Sequence, residues 1–287
     1  HLRPRRQRQM CIRDSMWKDK RTKKNLSLLK KPVFHQIGPN EGDQACGDVG
    51  PGRMSEPKEI IEVVAKEFSS GLLAGKKVLI TAGPTREKID PVRYISNKSS
   101  GKMGFSLAKA AVGESAIVTL ISGPVTLETP ERVHRIDIES AEEMREKVIE
   151  NLSDIDLFIS TAAVSDFKMK NAKSQKIKKD QSKSMSLQLE KNEDILKLVS
   201  KNNPELKIVG FAAETENMID NARKKLSSKN LNLIVANDVS DSSIGFDSNN
   251  NEVTLITEKE ELNIPKTSKE KVARKIVQFI SKNVLDD

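Results

Sequence analysis

Arg86, Arg93, Asn97 and Lys102 fall within one stretch of loop-forming residues, and that many donors in one loop is chemistry for holding an anion. The stretch reads Ile80-Thr81-Ala82-Gly83-Pro84-Thr85-Arg86-Glu87, then Asp90-Pro91-Val92-Arg93-Tyr94-Ile95-Ser96-Asn97, then Ser99-Ser100-Gly101-Lys102-Met103-Gly104. It begins as a buried strand, crosses a Gly/Pro/Asn-rich loop and ends in a helix, which is where an open α/β sheet binds a nucleotide or a phosphate. Ser99, Ser100, Gly101 and Gly104 are small, so backbone N–H groups at the positive end of that helix can approach an anion. A tight strand–helix turn is the bland alternative. No G-x-G-x-x-G follows the strand, and Gly101-Lys102-Met103 lacks the Gly-Lys-Ser/Thr ending of a Walker A loop.

A second run of small residues, Thr161-Ala162-Ala163-Val164-Ser165-Asp166-Phe167, also follows an apolar segment. Small residues at a strand's C-terminal end leave room for a flat ligand. Asp166 can accept from a base, a ribose hydroxyl or a metal-bound water, or serve as a helix cap or turn residue. Lys176-Ile177-Lys178-Lys179 is a solvated charge run unless it lies on a flap, from which lysines could close on a triphosphate as point charges. Lys225 and Lys229 stand four residues apart on one helix face after Phe211-Ala212-Ala213-Glu214, where a solvated face is the plain reading.

The elements that must position these groups alternate from Gly75 onward. Strands are expected at Lys77–Ala82, Ile117–Ile121, Val133–Ile138, Leu157–Thr161, Lys207–Ala212 and Leu231–Ala236. Helices are expected at Met103–Val112, Ala141–Asn151, Asp194–Lys201, Glu216–Ser227 and Lys269–Asn283, with a capping box formed by Ser140 and Glu143. Uncharged strands between helices indicate a Rossmann-like, mostly parallel α/β sheet with helices on both faces. Two regions break the alternation: lysine-rich Lys168–Glu190, ending in an alternating strand Met185–Leu189, and Asn249–Pro265, which suggests a hairpin of Glu252–Thr257 and Glu261–Ile264. Both are expected to be β flaps over the site.

The 287 residues are 36% hydrophobic and 31% charged, enough for one large or two modest domains. No run approaches the roughly 18 apolar residues of a membrane span. Two cysteines, Cys11 and Cys46, point to a reducing cytoplasm rather than a disulfide framework. His1, His35 and His134 are scattered singly, so there is no case for a protein-built zinc site. Residues 1–31 carry twelve Lys and Arg against two acidic residues, so the net charge of +8 belongs to them and residues 32–287 sum to −2. With Tyr94 the single tyrosine and Trp17 the single tryptophan, a nucleic-acid-binding role is disfavoured.

Three segments follow. Residues 1–15 are basic and non-periodic; Arg5–Ser15 resembles a translated sequencing adapter and is expected to be a non-native leader, an Arg-rich presequence being the alternative. Residues 16–74 read as the tail of one domain plus a linker, with a short helix at Leu26–Leu29, a strand at Val33–Ile37, loop chemistry over Gly42–Met54 and a helix at Pro57–Ser69. Residues 75–287 form the main domain.

Taken in order, Ile80–Arg93, Ile95–Asn97 with Ser99–Gly104, Ser122-Gly123-Pro124-Val125, Ala162–Phe167, Lys176–Lys179, Gly210–Glu214 and Ala236-Asn237-Asp238-Val239 resemble the phosphopantothenate–cysteine ligase family from Gly75 to about Ile280. The resemblance implies a CTP- and Mg²⁺-dependent enzyme of coenzyme A biosynthesis acting on 4′-phosphopantothenate and L-cysteine, and a homodimer. The substrate carboxylate would attack the α-phosphate of CTP, releasing pyrophosphate, and the cysteine amine would then displace CMP from the acyl-cytidylate. Carried over to this sequence, Asn97 would hold the acyl-cytidylate. Ser160, Thr161, Ala162, Asp166, Asp194, Ile195, Phe211, Lys225 and Lys229 would bind the nucleotide, with Phe211 near the base. Lys176 would contact the triphosphate, and Arg93, Ser99, Gly101, Lys102 and Gly104 would meet the phosphorylated substrate. No protein metal ligand is assigned. Lys98, Ser165 and a slightly shortened Val112–Ser115 depart from the family pattern.

Gly42-x-x-Ala45-Cys46-Gly47-Asp48-Val49-Gly50-Pro51-Gly52-Arg53-Met54-x-Glu56 is similar to the substrate clamp of the phosphopantothenoylcysteine decarboxylase family, a flavoprotein fused upstream of the ligase in many bacteria. Met16-Trp17 is similar to the end of that family's Met-Asn-x-x-Met-Trp motif. This resemblance implies a bifunctional parent in which Cys46 donates a proton after FMN-dependent decarboxylation, with the flavin-binding part lying before residue 16. A nicotinamide-dependent Rossmann reductase is the competing reading; it lacks the glycine fingerprint and an acidic ribose ligand near Val118.

Overall fold

The computed structural model describes residues 16–29, 34–43, 49–67, 71–178, 185–214, 216–238 and 248–285. The chain divides into two compact units, His1–Ser69 and Ser70–Asp287.

The first unit holds α1 (Lys20–Leu29), an antiparallel pair β1 (Asn40–Asp43) and β2 (Val49–Arg53), and α2 (Pro57–Glu67). Pro57 opens α2 at the position where a missing N–H costs nothing. The expected strand Val33–Ile37 is not formed by its described residues, and the expected loop Gly42–Met54 contains strand instead. The pairing Gly42 with Gly50 and Glu41 with Pro51 rests on backbone hydrogen bonds between residues of poor strand propensity, so side-chain alternation carries no trace of it. The helix expected over Leu26–Leu29 begins earlier, at Lys20, where Asp19 Oδ1 accepts from Arg21 N at 2.7 Å. Cys46 lies outside the described residues.

The second unit is an eight-stranded sheet. Its strands are β3 (Lys77–Ala82), β6 (Ile117–Ser122), β7 (Val133–Asp137), β8 (Leu157–Ser160), β11 (Lys207–Glu214), β12 (Leu233–Asp238), β13 (Asn250–Ile256) and β14 (Glu261–Ser268). Two short ribbons lie outside it: β4 (Arg86–Lys88) with β5 (Tyr94–Ser96), and β9 (Phe167–Met169) with β10 (Leu189–Lys191). The helices are α3 (Lys102–Gly113), α4 (Ala141–Glu150), α5 (Ile195–Asn202), α6 (Met218–Ser228) and α7 (Lys269–Ile280), the last continuing as a π-helical turn over Ser281–Leu285.

The sheet order is β14-β13-β12-β11-β8-β3-β6-β7, parallel from β12 to β7. Counting the parallel strands in chain order, this is the doubly wound order 3-2-1-4-5-6, in which the direction of winding reverses between β3 and β8. Both faces are buried, so alternate residues of each strand enter two cores. Val78 and Ile80 of β3 and Leu157 and Ile159 of β8 pack with α3 and α7; Leu79 and Phe158 pack with α4, α5 and α6. Ser140 caps α4 by accepting from Glu143 N at 3.2 Å, and the Glu143 carboxylate accepts in return from Glu139 N at 2.7 Å.

The two irregular regions differ from one another. The second extends the sheet: β13 pairs antiparallel with β12 and β14 with β13, because Val253, Leu255, Ile256 and Ile264 are apolar enough to bury. In the first, the expected strand Met185–Leu189 is not formed over residues 185–188; the strand there is β10, which begins at Leu189, and Met185 and Leu187 are left exposed. Among the described residues, no helix is long and apolar enough to cross a membrane.

Candidate active site

A cleft of about 580 Å³ lies at the C-terminal ends of β3 and β8, where the sheet order reverses. One end is the N-terminus of α3. Gly101 precedes it with φ 74°, a left-handed conformation that favours glycine. A Cβ on Gly104 would stand 2.5 Å from Ala82 Cβ and from Thr161 Oγ1, so only glycine lets the helix start this close to the two strand ends. Thr161 Oγ1 is itself tied to Thr81 O at 2.5 Å. Lys102 Nζ donates to Asn249 Oδ1 at 2.8 Å, and Lys269, 6% exposed at the first turn of α7, lines the same end through a backbone bond from its N–H to Asn249 O.

The floor comes from the loop after β8. Asn97 Nδ2 donates to Val164 O at 2.9 Å, which holds the Asn97 loop against it. Asn192 donates from Nδ2 to Ser165 O at 2.8 Å and from its backbone N–H to Asp166 O at 2.9 Å. The Ser165 hydroxyl is buried and has no hydrogen-bond partner among the described residues.

The far end is charged. Lys225 Nζ lies 2.5 Å from Glu214 Oε1, and Lys229 Nζ lies 2.7 Å from Asp194 Oδ2. Asp194 also caps α5, accepting from Lys197 N at 3.0 Å. Burial pushes the Asp194 carboxyl up, but the bonds from Lys229 and the Lys197 amide, with both lysine charges, outweigh it and hold the carboxyl below the usual aspartate range. Phe211 and Ala213 of β11 and Asn237 of β12 complete this wall.

Of the residues singled out in sequence, Asn97, Ser99, Gly101, Lys102, Gly104, Ser160, Thr161, Ala162, Asp166, Asp194, Ile195, Phe211, Lys225 and Lys229 line this one cleft. Arg93 and Lys176 do not line it. Arg93 instead pairs with buried Asp90 at 3.2 Å. Burial raises the Asp90 carboxyl, but the amides of Val92, Ile177 and Arg93 and the Arg93 charge hold it below the usual range. Because Ile177 N donates to Asp90 at 3.2 Å, this carboxylate also anchors the segment that carries exposed Lys176. Lys179 and Cys46 lie outside the described residues. Sequence reasoning missed Asn192, Asn251 and Lys269, which line the cleft from distant parts of the chain. The available hint for Lys269 was a lysine in the first turn of a helix, where the dipole disfavours a cation.

Fold and cleft define a Rossmann-type α/β protein with an open cleft at its switch point. The family model described as the DNA/pantothenate metabolism flavoprotein C-terminal domain matches residues 73–284. The coenzyme A biosynthesis bifunctional protein CoaBC of Vibrio cholerae is 45% identical over 272 residues, covering 94% of this chain and 68% of that protein. Its Escherichia coli K12 namesake is 42% identical over 274 residues, with the same coverage of 94% and 68%. A crystal structure of the C-terminal domain of a CoaBC protein superposes with a TM-score of 0.65 at 42% identity, covering 76% of this chain and all of that one. The chain therefore belongs to the DNA/pantothenate metabolism flavoprotein family, together with these bifunctional coenzyme A biosynthesis proteins.

Proposed function

We propose that the cleft ligates 4′-phosphopantothenate to L-cysteine in coenzyme A biosynthesis, with CTP as the activating nucleotide and an acyl-cytidylate as intermediate. Family membership supports the ligase role and the pathway; one observation carries the finer reading. A single cleft brings together an anion-accepting helix N-terminus, the Asn97 amide, Asp166, Phe211, Lys225 and Lys229. Two reactants that must meet head to head need such a cleft, because alignment and charge neutralisation supply most of the catalysis in phosphoryl transfer.

In this reading the Gly101–Gly104 amides and Lys102 take the substrate phosphate. Asp166 and Phe211 take the nucleoside, and Lys225 and Lys229 leave their carboxylates for the triphosphate. The substrate carboxylate attacks the α-phosphorus and pyrophosphate departs. The cysteine amine then attacks the acyl carbon and the carbonyl oxygen draws on the Asn97 amide; the acyl C–O bond breaks, CMP departs with that oxygen and the electron pair, and the amine proton passes to solvent.

The donor set fits Mg²⁺, which takes one or two carboxylates plus phosphate oxygens and water rather than a protein cage. No cluster of three metal-binding side chains occurs among the described residues, and the Asp166 carboxylate lines the cleft. Asp166 would hold the ion, whose chemistry is to neutralise triphosphate charge. In a chain that also carries a flavin-binding half, Cys46 would serve FMN-dependent decarboxylation. A homodimer belongs to the same reading, and sedimentation measures it.

The test is pyrophosphate release from CTP with 4′-phosphopantothenate and Mg²⁺, with and without cysteine. Release that depends on phosphopantothenate and becomes sustained turnover with cysteine is expected. A folded sample that releases nothing from CTP would defeat the proposal, and tight NADPH binding by that sample would favour the reductase.

A further inference from the structure

The loops after β3 and β8 do not separate where the sheet ends. Ala163 N donates to Gly83 O at 2.9 Å and Thr85 N to Ala163 O at 3.4 Å, with Pro84 and Ala163 forming an isolated parallel bridge. One residue further on, a side chain takes over. The Thr85 hydroxyl accepts from Ser165 N at 3.0 Å, while the Thr85 carbonyl accepts from Ser96 Oγ at 2.7 Å. Asn97, next along, donates to Val164 O at 2.9 Å. These three bonds close a ring through three chain segments: Thr85 to Ser165, Val164 to Asn97, and Ser96 back to Thr85.

Thr85 is fully buried and does not itself line the cleft, so it touches no ligand there. Valine would fill nearly the same volume, and what threonine adds is an acceptor for one buried N–H. The residues it joins are the neighbours of Asn97 on one side and of Asp166 on the other. Asp166 and Ser165 have a second tether in Asn192, and Ser96 a second one in its pairing with Arg86 across β4 and β5, whereas the Asn97 side chain is held by its bond to Val164 O within the ring.

We propose that Thr85 is a positioning residue for the ligase reaction, setting the Asn97 amide in register with Asp166 by bonding to Ser165 N and Ser96 Oγ. The inference rests on the ligase reading above. An acyl-cytidylate is held at both of its ends only while that register is kept, so the transfer to cysteine is the step that depends on it. Misplacement of a catalytic group by about 1 Å costs on the order of 100-fold.

Thr85→Val and Thr85→Ser, assayed separately for pyrophosphate release and for transfer to cysteine, test it. T85V is expected to lose about 10- to 100-fold in kcat for transfer, with KM for CTP within about 3-fold of the unaltered protein. T85S is expected to recover most of the loss. Unaltered transfer in T85V overturns the proposal, as does a T85S as slow as T85V, or equal loss in both steps. If T85V does not fold, Ser96→Ala removes another bond of the ring and must show the same split; uniform loss in S96A overturns the proposal. If the unaltered protein shows no turnover, the ligase reading has failed. The ring is then judged by NMR exchange of the Asn97 side-chain amide protons, which T85V or S96A must speed by about tenfold or more. Unchanged exchange overturns it.

Discussion

At the α3 end of the cleft Gly101 and Gly104 bring in a helix N-terminus, and Lys102 there is bonded to a neutral amide, Asn249. At the α5–α6 end the lysines are already paired with carboxylates. To take an anion the first end gives up only neutral hydrogen bonds, whereas the second must exchange one ion pair for another. A rigid end suits the part of a reaction where geometry decides the rate. An exchangeable end suits a co-substrate that must bind and leave, since exposed ion pairs are worth little and are readily traded.

Four results would break or sharpen this contrast. The largest effect is expected at Asn97. Asn97→Ala should cut transfer to cysteine by about 10²–10³, the usual cost of removing one donor from a developing oxyanion, and leave pyrophosphate release nearly intact. Equal loss in both steps would place Asn97 in binding rather than in transfer.

Next comes the rigid end itself. Gly104→Ala forces a Cβ to within 2.5 Å of Ala82 and Thr161, and should cost about 1–3 kcal/mol, read as a lowered urea midpoint. Gly113→Ala, at the other end of the same helix with nothing within 4 Å, is the control and should not lower the midpoint. If the two behave alike, close approach of α3 to the strands is not what glycine secures.

The smallest effects belong to the exchangeable end. Lys229→Met should raise KM for CTP by about tenfold, with a salt dependence that variants at the α3 end lack. Asp194→Asn keeps the cap of α5 and removes the charge. Because the Asp194 carboxyl titrates below its ordinary value of 3.8, the ion pair contributes stability above that value and loses it as the pH falls through the lowered one. The deficit of Asp194→Asn in urea midpoint should therefore be constant near neutrality and shrink in acid. A deficit that persists unchanged in acid would show that Lys229 is held by something else.

Legibility in sequence followed the range of the interactions. Apolar segments such as Val78–Ala82 and Leu157–Ile159 were readable as strands because both of their faces are buried. The cap at Ser140 and the Gly101–Gly104 turn were readable because each is closed within a few residues. Asn192 and Lys269 reach the cleft through β10–α5 and β14–α7 connections whose position depends on the whole sheet. The ribbon of β1 and β2 escaped for another reason: glycine and proline pair there through the backbone, without side-chain alternation. Glu252–Thr257 was legible as strand, but whether it capped the site or joined the sheet depended on a partner, β12, that its own residues do not specify.

By itself the sequence determined the alternation of strand and helix, the two small-residue loops and the types of side chain they carry. Each of these is set by hydrogen bonds and periodicities spanning a few residues. Only the tertiary structure decided that β3 and β8 are neighbours, and hence that Thr85 meets Ser165 and Asn97 meets Val164, and that the helices flanking β11 pack so that Lys229 meets Asp194. Strand order is chosen by burying two cores at once on the two faces of one sheet, a cooperative term to which every strand contributes and which no single segment encodes.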